Sequence, residues 1–369
     1  MPELSQHVPA LLQRARALLG LGGGPERALA PAELRRAARA VEALHGGLVA
    51  RRELARPETY DDPSHLGAYL LWWWPQTYAK VRALLRMARA AGALPRQVPR
   101  VVDLGAGPAP AAIAVLDELG GDAVALDASA AALAEGRGLA GERLETRQVD
   151  LTAGSFQLDG AFDLALMANV LSELPPAARA PLFAGLPLSQ DAAVLIAEPA
   201  LRETGRALLE LRDELLRRGW AAAAPCLTQR PCPALSNPRD WCTAQHAWEP
   251  PEHVVQLARE LGLRADEELA YAPLVLVRRV APAPAQVWRV VGVPRPEKGK
   301  KRLFVCSDAG RIPVTRLDRD AGPANEAFDE LDRGDLVLLR GLSAKGDGLR
   351  IAAGSEVRRL EEVPRGERG

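Results

Sequence analysis

The sequence predicts an α/β protein: a mostly parallel, seven-stranded sheet, an N-terminal helical region and a small C-terminal β domain. Three observations predict it. From Val101 to Ala197, short apolar runs that end in an acid or a glycine turn alternate with helix-forming segments. Before them, residues 1 to about 95 repeat apolar positions at helical spacing. Beyond Pro284 the runs are short, β-rich and separated by polar turns.

Length and composition bound the answer. A chain of 369 residues is long for one core, so two or three domains are expected. An apolar content of 48% with 25% charged residues is that of a soluble globular protein. No apolar run approaches the ~20 residues of a membrane span, so no membrane partner is expected. The formal net charge of zero gives no support to a generally nucleic-acid-coating surface. No secretory signal precedes the cysteines, which points to a reducing, cytoplasmic compartment without disulfides.

In chain order, Leu11, Leu12, Ala15, Leu18 and Leu19 mark one helical face, ended by the Gly22-Gly23-Gly24-Pro25 turn. A second helix starts near Pro31 and runs through Leu34, Ala38, Val41 and Leu44. A third passes through Trp72-Trp73-Trp74-Pro75 to Tyr78, Val81 and Leu84. Adjacent helical positions diverge by about 100°, so three neighbouring tryptophans cannot share one face. At least one is expected to meet another domain, a ligand or a partner, and an interdomain packing corner is the plainer reading.

The run Val101–Leu104 then enters Gly105-Ala106-Gly107-Pro108-Ala109, and a helix follows over Ala111 to Leu119. Glycines at a strand-to-helix turn let a ligand approach the backbone at a helix N-terminus. The strand Ala123–Leu126 ends in Asp127, where an acid can accept both hydroxyls of a ribose. A third strand, Leu144 to Val149, ends at Asp150. A fourth, Phe162 to Met167, runs into Asn169 and Glu173, and a fifth, Ala192 to Ala197, ends in Glu198. A nicotinamide fingerprint is not met, because position 110 is proline and the third glycine is absent. For any one of these acids a helix cap or turn is the ordinary explanation, but three at successive strand ends point to a pocket.

Next come a long helix, Arg202 to Arg218, a cysteine-bearing loop, a helix Glu252 to Leu261, and two strand-like runs. Those runs, Glu267–Tyr271 and Pro273–Arg278, are expected to close the sheet as an antiparallel edge hairpin. The loop Pro225–Cys242 carries Cys226, Cys232 and Cys242, and the fourth cysteine, Cys306, lies far along the chain. Four thiols, three in a proline-rich loop that regular structure would reject, point to ligation of zinc or an iron–sulfur cluster. Gaps of six, ten and sixty-four positions do not choose the metal, and four ordinary buried cysteines are the bland alternative.

At Ala281-Pro282-Ala283-Pro284 the composition shifts, as in a linker. Five β-type runs follow: Gln286–Val293, Arg302–Cys306, Ile312–Leu317, Asp335–Leu339 and Gly348–Val357. They fit a small barrel or meander of the oligonucleotide-binding kind. From Arg289 to Arg302 six basic residues face one acid, Glu297. Of these, Arg295, Lys298, Lys300, Lys301 and Arg302 could meet a phosphate backbone, with a solvated hairpin as the alternative.

With acids ending the first three strands, the glycine turn is similar to that of class I S-adenosylmethionine methyltransferases, a Rossmann-like fold. That resemblance implies that Asp103 and the turn Gly105, Ala106, Gly107 and Pro108 line the methionine end. It implies Asp127 at the ribose, Asp150 facing the adenine and Asn169 at the fourth strand's end; Ala109 replaces the third glycine. Together with Ala224-Pro225-Cys226, Cys232-Pro233 and Asp240-Trp241-Cys242, the chain resembles the methyltransferase-like proteins of small-ribosomal-subunit assembly. The resemblance spans about Tyr69 to Asp320, and its most specific parts are those cysteine elements. It implies that Cys226, Cys232, Cys242 and Cys306 hold a [4Fe–4S] cluster, with zinc as the alternative. It implies a partner too, the small ribosomal subunit or its ribosomal RNA; a monomer is expected, and no catalytic residue is assigned. The expected organisation is residues 1–95 helical, 96–280 methyltransferase-like with a cysteine-rich insertion at 222–250, and 285–362 a β domain contributing Cys306.

Overall fold

The computed structural model describes residues 3–47, 57–153, 157–263 and 267–361. Part of the expected N-terminal helical region, 48–56, and the expected last residue of the β domain, Glu362, lie outside them. The chain divides into two compact units: Met1–Leu85, Pro95–Ala192 and His246–Leu269 form the first, and the remaining segments form the second.

In the first unit, helix α1 (Leu4–Leu19) ends at Gly20, whose left-handed φ of 57° lets the chain leave the helix. Helix α2 (Pro31–His45) starts with proline at its first position, and Glu33 caps it by accepting the Ala30 N–H at 2.8 Å. The same carboxylate accepts from Arg16 at 2.8 Å, joining α1 to α2. Helix α3 (Pro63–Ala90) carries the tryptophans. Trp74 is fully buried and stacks on Tyr78, while Trp72 and Trp73 are half-buried.

Four strands follow, β1 (Arg100–Leu104), β2 (Asp122–Asp127), β3 (Leu144–Gln148) and β4 (Phe162–Ala168). They pair parallel in the order β3-β2-β1-β4. The central pair is nearly continuous in apolar residues because a parallel sheet is covered on both faces. Helices α4 (Pro110–Leu119) and α5 (Ala130–Ala140) supply cover, and α6 (Pro176–Ala184) follows β4.

In the second unit, β5 (Leu188–Pro199, mostly in this unit) leads into helix α7 (Arg202–Arg217) and the short β6 (Ala221–Ala224). After β7 (Ala244–Ala247) and helix α8 (Glu252–Glu260, in the first unit) comes β8 (Glu268–Val277). The order is β5-β8-β6, both pairings antiparallel. The expected edge hairpin is therefore corrected. Residues read as two runs form one continuous strand, in which Pro273 sits opposite Ala197, and its antiparallel neighbours come from earlier in the chain.

The C-terminal part of this unit has eight strands: β9 (Val287–Val290), β10 (Arg295–Glu297), β11 (Lys300–Ser307), β12 (Gly310–Leu317), β13 (Leu336–Arg340), β14 (Ser343–Lys345), β15 (Gly348–Ile351) and β16 (Glu356–Leu360). They pair in the order β14-β15-β12-β11-β9-β13-β16, with β10 on β11. The run read as one strand, Gly348–Val357, is β15 and the start of β16, separated by a turn. Alternation splits the residues between two faces. Trp288, Val290, Leu303, Val305, Val337 and Leu339 pack around Phe328. Val287, Leu336 and Leu338 look the other way and bury Leu227, the neighbour of Cys226. The cysteine loop is thereby seated on the back of this sheet. No helix among the described residues is long and apolar enough to cross a membrane.

Candidate functional sites

The glycine turn is shaped by its immediate surroundings. Gly105 has φ +67°, and a Cβ there would run into the side chain of Val170, just after β4. The N–H groups of Gly105 and Ala106 both donate to the Leu126 carbonyl, at 2.8 and 2.9 Å, fixing the turn beside β2. Gly107 has φ +54°, and a Cβ there would meet nothing within 4 Å, so this side of the turn opens on free space. From behind, the Trp74 indole N–H donates to the Pro108 carbonyl at 3.0 Å. That bond accounts for one of the three tryptophans.

Asp103 is fully buried at the end of β1. Its Oδ2 accepts the Ala112 N–H at 3.0 Å, and its Oδ1 has no partner. Burial pushes its carboxyl up to about 7, further raised by Asp127, against the Ala112 bond. Asp127 accepts the N–H of Gly107 at 2.7 Å and of Ser129 at 2.9 Å. Burial still leaves its pKa above the ordinary value. Each carboxylate oxygen has two lone pairs, so these bonds leave room for ribose hydroxyls. Asp150 is exposed; its carboxylate accepts from the Thr152 hydroxyl and N–H, bonds that hold its pKa below the ordinary value. Asn169, in a left-handed conformation with φ 62°, donates from its side chain to Thr77 Oγ1 at 3.3 Å. An unpartnered buried carboxylate oxygen, open space over Gly107 and two further acids at strand ends suit a cationic, ribose-bearing cofactor.

The second site lies wholly within the second unit. Cys226, Cys232, Cys242 and Cys306 line one cavity, together with Arg212, Arg289, Arg311, Leu209 and Trp241. All four cysteines are free and half-buried. Helix α7 shapes the loop that carries three of them. Arg206 donates to the carbonyls of Asn237 at 2.9 Å and Asp240 at 2.8 Å. Arg212, fully buried, donates to the carbonyls of Thr228 and Arg230 and pairs with Asp213. Asp213 in turn accepts the Cys232 N–H at 2.9 Å. The turn is compact because Trp241 packs on Gly205, where a Cβ would come within 3.2 Å of the indole.

Burial, together with the neighbouring cysteines, pushes the Cys232 thiol up to about 11 and Cys242 to about 12, and raises Cys306 further. Ligation would therefore release protons. Among the described residues no three His, Cys, Asp or Glu side chains are gathered to hold a metal ion. The four thiols share a cavity without closing on a point. The donor set, four thiols with no carboxylate or imidazole among the cavity-lining residues, is that of a soft metal centre.

A family model described as "Mitochondrial small ribosomal subunit Rsm22" matches residues 63–337. The chain belongs to the Rsm22 family. No curated protein matches it. Solved structures similar to this Rsm22-family chain include a TehB-like SAM-dependent methyltransferase from Corynebacterium glutamicum (18% identity, 53% of this chain and 88% of that one, TM-score 0.34). Another is the ribosomal protein L11 methylase from Lactobacillus delbrueckii subsp. bulgaricus (16%, 55% and 79%, TM-score 0.34). A third is the plantazolicin methyltransferase BpumL in complex with SAH (10%, 67% and 98%, TM-score 0.38).

The basic run is divided by the fold of the Rsm22-family chain. Arg295 and Lys298 are exposed on the β10–β11 hairpin. Lys300 pairs with Glu297 at 2.8 Å, and Arg302 approaches the same carboxylate at 3.9 Å. Lys301 donates to the carbonyls of Phe328 at 3.0 Å and Asp329 at 2.5 Å and lies over the Phe328 ring. Arg289, at the head of the run in sequence, is in the cysteine cavity. Sequence reasoning missed Arg212, Asp213 and Arg311; the only signal for any of them is an Arg-Asp pair amid the apolar spacing of α7.

Proposed function

We propose that this chain binds S-adenosylmethionine and a [4Fe–4S] cluster and acts in the cytoplasm on the assembling small ribosomal subunit, on or near its RNA, as a methyltransferase. The observation that carries the reading is the open, acid-lined glycine turn, with the partnerless Oδ1 of Asp103 beside it. Membership of the Rsm22 family supports the ribosomal setting.

The cofactor supplies a methyl group on a sulfonium. Asp103 would face its cationic methionine end, the Gly105–Pro108 backbone would let it approach, Asp127 would accept from the ribose hydroxyls and Asp150 from the adenine. Asn169, tethered by Thr77, borders this end of the sheet. Positioning of the methyl donor against a nucleophile is the main contribution the chain would make, because such alignment alone lowers a barrier by several kcal/mol. Cys226, Cys232, Cys242 and Cys306 would hold the cluster. A single zinc ion draws four thiolates to about 2.3 Å from one point. The resemblance carried by the cysteine elements, rather than the spacing of the thiols, favours an iron–sulfur core here. Its role would be structural, tying the cysteine loop to the C-terminal sheet that carries Cys306.

A second reading, a non-catalytic assembly factor, is supported by the end of the fourth strand, where Asn169 is followed by Val170, Leu171 and Ser172 and no catalytic residue is assigned. Radiolabelled S-adenosylmethionine offered with purified protein and immature small subunits separates the two. Label in RNA or ribosomal protein is the expected result; cofactor bound without transfer would leave the factor reading. Anaerobic purification with iron analysis and an absorption spectrum tests the cluster, and a colourless, iron-free protein would remove it.

A further inference from the structure

Cys306 does not stand alone on its strand. Across the sheet it is in register with Arg289 of β9 on one side and Arg311 of β12 on the other. All three residues line the cavity. Cross-strand partners share a face, so this row places two guanidiniums beside one thiol. Arg212 closes the cavity from α7; it is fully buried, and its Nε has no hydrogen-bond partner.

The three arginines differ in what balances them. Arg212 pairs with Asp213, and Arg311 pairs with Asp240. Arg289 instead donates to two main-chain carbonyls, from Nε to Pro225 at 3.2 Å and from Nη1 to Gly334 at 2.8 Å. The Asp335 carboxylate also acts on Arg289 but makes no direct ion pair with it, and burial still weakens the guanidinium's hold on its proton. A guanidinium held mainly by carbonyls is costly unless an anion completes the site. Neutral thiols provide none. Four thiolates around a doubly charged iron–sulfur core carry a net negative charge, which Arg289 would offset.

We propose that Arg289, with Arg212 and Arg311, forms a cationic cradle for the four-thiolate centre, and that Arg289 is the positioning residue whose charge tunes it. The inference rests on the cluster reading above. Positive charge near a cluster favours its reduced, more negative form, so loss of that charge lowers the reduction potential. Removal of a balancing carboxylate should do the opposite.

The full-length chain, reconstituted anaerobically with iron and sulfide, tests this by visible absorption and a redox titration. Arg289→Gln should shift the midpoint potential negative, by about 59 mV if the one-electron equilibrium changes tenfold. Arg289→Lys should retain most of the wild-type potential. Asp240→Asn, at a half-buried position where the fold is less at stake, should shift it positive. Potentials equal to wild type in both Arg289→Gln and Asp240→Asn would overturn the cradle while leaving the cluster in place. A wild-type chain that takes up no iron would overturn both.

Discussion

Ala109 and the main chain of Pro108 together fill the space that a side chain at Gly136 would need: a Cβ built on Gly136 would lie 3.0 Å from Ala109 Cβ and 3.0 Å from the Pro108 carbonyl carbon. Ala109 is buried and left-handed, with φ 54°. Its methyl is thus accommodated against α5, and the missing third glycine is matched by a glycine on the neighbouring helix. Gly136→Ala should destabilise the protein by about 2 kcal/mol, overpacking outweighing the ~1 kcal/mol helix gain. Ala109→Gly combined with it should recover only part of that loss, because the Pro108 main chain stays in place. Urea unfolding of the two single variants and the double variant measures the coupling.

Asp117 gathers His7 at 2.6 Å, Tyr78 at 3.0 Å and Arg143 at 3.3 Å, which fastens α1 and α3 to α4. Burial raises its pKa, but bonds from His7, Tyr78 and Arg143 outweigh that, and the net shift is downward. A lowered folded pKa gives stability that is present above the ordinary carboxylate range and lost as pH falls through the folded value. Asp117→Asn should cost about 2 kcal/mol at neutral pH. Thermal unfolding followed against pH should show the difference shrinking in acid; a constant gap would contradict the network's charge.

Asp103 should make cofactor binding depend on pH. With its carboxyl pushed up to about 7, the group is neutral below that pH and ionised above it. A cationic ligand favours the ionised form, so affinity for S-adenosylmethionine should rise as pH passes through 7 and then level off. Calorimetric titrations between pH 6 and pH 8 measure it. Asp103→Asn should bind at least about tenfold more weakly and lose the pH dependence, the equivalent of one 1.4 kcal/mol step.

The basic hairpin should divide by role. Arg295→Glu and Lys298→Glu should weaken RNA binding and reduce the salt slope, by about 0.7 to 0.9 for each lost phosphate contact. Lys301→Ala should lower stability instead, because its ammonium is committed to the carbonyls of Phe328 and Asp329. Filter binding at several salt concentrations, beside melting curves, distinguishes them.

The alternation of strands and helices was legible because β1, β2 and β4 are short and apolar and the strand ends are punctuated by an acid or a glycine. Convergence of Cys306 with the other three thiols was not legible from spacing. It depends on which strands pair, and strand pairing is a non-local choice. The same reason hid the Arg289–Cys306–Arg311 row, and it made Arg289 look like part of the basic run. Arg212 was hidden differently: it falls on the apolar stripe of α7, four residues after Leu208 and three before Leu215, but the charge of its side chain reads as solvent-facing. Pro273 read as a break between two strands because proline lacks the N–H that most ladder positions use.

Helix α7 holds the cysteine loop with Arg206, Arg212 and Asp213, through bonds that need no inorganic partner. The loop's shape is therefore set by side chains that precede it in the chain, before the strand that carries Cys306 is reached.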